Sequence, residues 1–179
     1  MKHKYKLEYN NVQLRQIEEW DLEYLRRWRN NPNNCKYLRK IPYITSQMQN
    51  AWFHKYLDDD TEMIFAIDEI QDIHQVVGSL ALYNFEETRA EVGKILVGES
   101  RAHGLNVCAN ALYAVMEIAQ KNLGLKELYL HVFKENIPAN LVYRKVGFVI
   151  QEEHTVDNGM IEYTMSIELE ESHEDTQYE

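Results

Sequence analysis

Two short stretches decide the fold: Arg101-Ala102-His103-Gly104-Leu105-Asn106, and further on Asn136-Ile-Pro-Ala139-Asn140-Leu-Val-Tyr143-Arg-Lys-Val-Gly147-Phe148. The first is a basic, glycine-containing turn. It opens onto an apolar pattern at helical spacing (Leu105, Cys108, Leu112, Val115, Ala119 and Leu123), which predicts a long helix over 103–123 stopped by Gly124. A helix start exposes free backbone N–H groups, Gly104 allows close approach, and Arg101 and His103 add positive charge. Such a turn suits a phosphorylated ligand. It is neither a Walker loop nor a G-x-G-x-x-G fingerprint, because the glycines those need are absent. The second stretch reads as a short helix, with Asn136 as N-cap, Pro138 tolerated in the first turn and Gly147 at its end. Between them, Glu127–Phe133 alternates as a strand, with Leu128, Leu130 and Val132 on one side and Tyr129, His131 and Phe133 on the other.

Working outward, Val12–Ile17 reads as a first strand, followed by a helix over Leu22–Asn30 capped by Asp21. Asn30-Asn31-Pro32-Asn33-Asn34 breaks the chain. A second helix starts at Thr45 or Ser46 and runs through Leu57, with Met48, Trp52 and Tyr56 on its expected stripe. Met63–Asp68 reads as a strand. Gln75–Asn84 and Arg89–Val97 read as an antiparallel pair, and Val149–His154 and Met160–Glu168 as a hairpin around Asp157-Asn158-Gly159. This order predicts a mixed α/β (α+β) sheet covered by helices, not a regular βαβ array. Residues 1–169 are expected to form one domain and residues 170–179 a flexible acidic tail.

Hydrophobic content of 45% and charged content of 27% place the chain among ordinary globular proteins. No apolar run reaches the roughly 20 residues of a membrane helix, and no apolar signal core follows the basic N-terminus. A cytoplasmic protein is the expectation, with no membrane partner, as monomer or homodimer. The two cysteines define no disulfide framework. The histidines and acids show no metal-ligand spacing, so no metal is expected. Lys145 is the last Lys or Arg, and ten of the 29 acids lie in 148–179; the remaining nineteen match the nineteen Lys and Arg. The net charge of −10 therefore belongs to the C-terminal segment. That balance argues against nucleic acid and leaves open an acidic rim that attracts a cationic amine.

The two stretches together resemble the GNAT superfamily of acetyl-CoA-dependent N-acetyltransferases. The family's pyrophosphate loop, Gln/Arg-x-x-Gly-x-Gly/Ala, stands here as residues 101–106, with Asn106 departing at the last position. Asn136-x-x-Ala139-x-x-x-Tyr143-x-x-x-Gly147-Phe148 is similar to its acceptor-side helix. The resemblance implies a twisted, mostly antiparallel sheet with a splayed parallel strand pair, and acetyl-CoA as cosubstrate. It implies that Arg101, Ala102, His103, Gly104, Leu105 and Asn106 hold the pyrophosphate, that the backbone of Ile95, Leu96 and Val97 pairs with pantetheine, and that Asn136 and Asn140 flank it. Tyr143 takes the place of the general acid that protonates the leaving thiolate. For the base, His131 and Glu91 both stand where relatives carry such groups, and a water relay is the third option.

The N-terminal part is expected to wall the acceptor pocket, with Trp28, Arg29, Asn30, Arg39 and Tyr43 as candidate contacts. It resembles branches that acetylate N-terminal alanines of ribosomal proteins or amino sugars on nucleotide carriers. Aromatic rings and cations suit a sugar diphosphate, so a nucleotide-linked amino sugar is the expected small-molecule amine. N-terminal acetylation and a non-catalytic acyl-CoA-binding module are the alternatives.

Overall fold

The computed structural model describes residues 2–38, 41–156 and 159–169. Its strands are β1 (Leu7–Tyr9), β2 (Val12–Gln16), β3 (Glu62–Glu69), β4 (Gln75–Tyr83), β5 (Arg89–Val97), β6 (Glu127–Phe133), β7 (Val149–Thr155) and β8 (Ile161–Glu168). The helices are α1 (Leu22–Asn30), α2 (Ser46–Asp58), α3 (Val107–Leu123) and α4 (Ile137–Val146). One sheet takes all eight strands in the order β1-β2-β3-β4-β5-β6-β8-β7. Every neighbour is antiparallel except β5 and β6.

The two sheet faces bury different things. On one, Ala90 and Val92 of β5 and Leu128, Leu130 and Val132 of β6 share a core cluster with the buried residues of α3 and α4. On the other, Leu22, Leu25 and Trp28 of α1 and Phe53 and Tyr56 of α2 pack over Ile64, Ala66 and Ala81. Glu91, Tyr129 and His131 alternate with the first set, so they belong to this second face.

Three expectations need correction. β1 precedes the expected first strand, joined to β2 across Asn10-Asn11, with Asn10 at φ 52°. Asp21 precedes α1 but makes no side-chain cap; its buried carboxylate takes Arg15 at 2.6 Å and the Glu18 N–H at 2.8 Å. Two carboxylates, Asp21 and Asp68, share that one guanidinium and raise its pKa. On α2 the buried stripe is Gln49, Phe53 and Tyr56: Tyr56 is buried as expected, but Met48 and Trp52 are exposed and their neighbours Gln49 and Phe53 take the inner positions. Thr45 does cap that helix, accepting from the Met48 N–H at 3.2 Å. The expected hairpin turn at Asp157-Asn158, the substrate contact Arg39 and the acidic tail lie outside the described residues.

Candidate active site

The site is an opening in the sheet. β5 and β6 pair in parallel only at Arg89↔Glu127, Ala90↔Leu128 and Glu91↔Tyr129. Beyond these the strands part. The cause is local: the β4–β5 register shifts between Ser79 and Ala81, and Lys94 sits at φ 52°, a bulge that bends β5 away from β6. The β6-facing edge of β5 after Glu91 therefore keeps free backbone groups. Gly98 donates to Val77 at 2.9 Å on the β4 side, so by strand alternation Val97 and Ile95 point to the open edge and Leu96 toward Ser79. Of the three expected pantetheine contacts, two present main-chain groups to the cleft.

β5 leads into the phosphate loop. A short 3-10 turn, Ser100–Ala102, precedes α3, which starts at Val107 and not at His103 as the periodicity predicts. Gly104 (φ 89°) and Asn106 (φ 57°) both adopt the left-handed conformation. Asn tolerates that region better than most residues, which accounts for its place where the family pattern has Gly or Ala. Its side chain turns aside and accepts from Lys145 Nζ at 3.3 Å. The N–H groups of Gly104, Asn106, Val107, Cys108 and Ala109 have no partner among the described residues. Five amides around one helix mouth fit a pyrophosphate. The Arg101 guanidinium is folded onto Glu99, at 3.1 and 3.3 Å, so Lys145 is the cation nearest the loop's far end.

Sequence reading missed what fastens this loop. Asn11, buried in the β1–β2 turn, donates to the Leu105 carbonyl at 3.1 Å and accepts from Asn110 of α3 at 2.6 Å. Buried Glu69 sits behind it. Burial alone would raise its carboxyl, but N–H donors from Ile73, Asp72 and Gln71 and the Asn11 side chain outweigh that and hold it low.

Tyr143 comes from α4, on the α3 side of the sheet. Asn136 caps the helix, accepting from the Ala139 N–H at 3.4 Å. Asn140 ties the turn before it by donating to the carbonyls of Phe133 and Asn136 at 3.0 and 2.9 Å. Gly147 at φ 117° closes the helix, with the Phe148 N–H bonded back to the Tyr143 carbonyl at 2.9 Å. Phe148 then packs on the phenol ring, 6.1 Å between centroids. Tyr143 is 9% exposed, and its hydroxyl has no hydrogen-bond partner among the described residues. It is not one of the sealed orphan atoms, which are His3 Nδ1 and Asn140 Oδ1. Burial, reinforced by the nearby Cys108 thiol, pushes the phenol well above its ordinary value, so it stays protonated.

Glu91 and His131 stand on the opposite face. Glu91 is buried at the point where β5 and β6 separate, and both its oxygens are taken, by Tyr83 Oη and Asn84 Nδ2 at 2.7 Å each. His131, two residues past the last β5–β6 pair, is exposed; its Nδ1 lies 3.2 Å from Thr164 Oγ1, and its Nε2 has no hydrogen-bond partner among the described residues. Cross-strand partners share a face, so Glu127, Glu152, Glu162 and Glu168 join Glu91 there. Arg89 shares that face, 3.9 Å from Glu127, so the surface beside the opening is acidic on balance.

The expected acceptor contacts fare differently. Trp28 is a core residue, 7% exposed, with its indole against Gly98, so no ring face is left for stacking. Asn30 holds the 41–45 segment through its two bonds to Ile44, at 2.8 and 2.9 Å. Arg29 reaches the Cys35 sulfur at 3.7 Å. Tyr43 is open, 68% exposed, and takes Arg26 at 3.2 Å.

A splayed parallel pair, a cluster of free amides at one end and a protonated phenol across from acidic groups define an acyl-CoA-dependent acyltransferase. The comparisons agree. The acetyltransferase (GNAT) domain model matches residues 11–149, and the chain belongs to that family. It uses acetyl-CoA as cosubstrate. Spermidine N(1)-acetyltransferase of Escherichia coli K12 is 31% identical over 144 residues, 80% of this chain and 76% of that protein. The Vibrio cholerae protein of the same name is 27% identical over 85% of this chain and 86% of its own. The crystal structure of the Vibrio cholerae spermidine N-acetyltransferase with CoA and spermine shares the fold, with a TM-score of 0.79 at 23% identity, over 89% of this chain and 96% of that one. No helix among the described residues is long and apolar enough to cross a membrane.

Proposed function

We propose that this N-acetyltransferase acts on a linear polyamine of the spermidine type. The observation that carries the reading is the acidic face of β6, β8 and β7 beside the β5–β6 opening. A flexible polycation gains from several carboxylates along one surface. A nucleotide-linked amino sugar would bring a diphosphate to the same surface and be repelled. Of the cations expected to receive that diphosphate, Arg29 is turned onto the Cys35 sulfur and Arg39 lies outside the described residues. The names of the relatives support the polyamine over the amino sugar and over an alanine N-terminus.

The two faces divide the chemistry. The amine enters over Glu91, whose fixed carboxylate favours the cation. His131 takes its proton, because Nε2 is free while both Glu91 oxygens are bound. The neutral nitrogen attacks the thioester carbon, and edge N–H groups of β5 steady the developing oxyanion. The C–N bond forms and the C–S bond breaks, Tyr143 gives its proton to the departing thiolate from the other face, and the second proton shed by the attacking nitrogen as it becomes the amide passes through solvent to restore the phenol. The products are the amide and CoA thiol.

The test is thiol release from acetyl-CoA with spermidine, spermine, nucleotide-linked amino sugars and alanine-starting peptides. Spermidine and spermine are expected to give kcat/KM at least tenfold above the others. A preference for the sugar or the peptide refutes the polyamine reading.

A further inference from the structure

A second cluster lies on the exposed face of β6, β8 and β7. One ring nitrogen from His131, one from His154 and one carboxylate oxygen from Glu162 all lie within 4.8 Å of one another. The strand register brings them together: His154 is opposite Glu162, and His131 is opposite Thr164 on the strand between. His154 Nε2 is 3.2 Å from Glu162 Oε2, and the two imidazoles stand edge to face at 6.2 Å. The Thr164 hydroxyl, 3.2 Å from His131 Nδ1, supplies the outer partner that metal-binding histidines need to fix ring and tautomer.

We infer that His131, His154 and Glu162 form a binding site for a divalent ion of the zinc class. Two imidazoles and one carboxylate are the donor set that zinc accepts, and a fourth position is left for water. Calcium and magnesium would need more oxygen ligands. Ligand atoms around tetrahedral zinc sit about 3.3 Å apart, so side-chain rotations of about an ångström close the site. Glu152, on the same face across from Thr164, adds negative charge beside it. No sequence spacing announces these ligands, because they come from three strands joined by register alone.

The site has a consequence for turnover, which rests on His131 being the base. An ion bound there takes the lone pair that would accept the amine proton, so zinc inhibits.

The experiment is calorimetric titration of tag-free, chelator-stripped protein with zinc, alongside imidazole NMR. One equivalent is expected, with signals of two of the seven histidines moving. His154→Ala should weaken binding at least tenfold, and Thr164→Val about tenfold, with circular dichroism showing both folded. His154→Ala should keep zinc-free turnover and lose its sensitivity to zinc. Absence of zinc uptake by the wild type, or wild-type affinity in His154→Ala, overturns the site. Zinc binding to the wild type, lost in His154→Ala, with undiminished wild-type turnover upholds the site and removes His131 as the base.

Discussion

Tyr143→Phe isolates the proposed acid, because the hydroxyl has no structural task. It makes no hydrogen bond among the described residues, while the ring packs on Phe148 and lies beside Cys108. Phenylalanine keeps that packing and leaves no partner unsatisfied, so the melting temperature should stay within a degree or two. Turnover should not. Losing a positioned acid costs about 10² to 10⁴ in rate. The lower end applies here, because a thiolate of pKa near 8.5 is a fair leaving group without help. A fall of about 10² in kcat corresponds to about 2.7 kcal/mol of barrier. The KM for acetyl-CoA should change little, since the expected pyrophosphate site is the free amides of the 104–109 segment and not the phenol. Stopped-flow thiol release under saturating acetyl-CoA and spermidine measures the step. A variant that melts with the wild type and turns over within threefold of it refutes the acid role. One that loses several degrees shows that the hydroxyl had a structural partner after all.

Asn11→Ala should loosen the phosphate loop by removing its hold on the Leu105 carbonyl. Steady-state kinetics should show the KM for acetyl-CoA rising about tenfold, roughly 1.4 kcal/mol, with kcat nearly unchanged; an equal fall in kcat would contradict a positioning role. Gly98→Ala places a methyl in the Trp28 indole and should cost about 1–3 kcal/mol in chemical denaturation, with Trp28→Leu in the double variant recovering part of it. If Gly98→Ala is neutral, the indole is free to move. Glu69 has a lowered carboxyl pKa, so its stabilisation is present above the unfolded value of 4.5 and is lost as pH falls through the lower folded value. Glu69→Gln should therefore be less stable than wild type at pH 7 and converge with it in acid; parallel curves would rule this out.

Much of this fold was legible because its signals are local. Glu127–Phe133 alternates cleanly, Arg89–Val97 is marked off by turn residues before it, and the structure keeps both sets of bounds. Asn136, Gly147 and Thr45 are caps whose chemistry lies within a few residues. What escaped depends on partners far along the chain. Asn10-Asn11 is a fair hairpin cue, but β1 has only three residues and was passed over. Asp21 has the composition of an N-cap, yet Arg15 draws its carboxylate inward. The α2 stripe holds at Tyr56 but differs at its first two positions, because Gln49, a polar residue, takes a buried position and the apolar Met48 does not. The same limit applies to the site. The phosphate loop and Tyr143 lie in contiguous motifs, whereas Asn11 and the pair His154 and Glu162 reach their positions only through sheet register.

The bulge at Lys94 connects the fold to the chemistry. A flat, fully paired β5–β6 would satisfy every edge group and leave no slot, so the parting of the strands must be supported by something other than their own hydrogen bonds. Two glycines supply the room. A Cβ at Gly78 would strike the Leu96 carbonyl, and one at Gly93 would strike the Tyr83 hydroxyl. That hydroxyl holds Glu91 at 2.7 Å. Gly93 thus serves the bulge and the carboxylate together: without its missing side chain Tyr83 could not reach across, and Glu91 would lose one of its two donors. The bent strand also sets the order of events along the cleft. Val97 leads straight through the Ser100–Ala102 turn to the free amides of α3, while Glu91 marks the closed end. A cosubstrate gripped by its pyrophosphate at the open end is thereby directed with its thioester toward the point where the strands meet. There the α3 face offers Tyr143 and the opposite face offers Glu91 and His131. The sheet itself thus sets the expected proton donor, Tyr143, on one face and the two expected acceptors, Glu91 and His131, on the other.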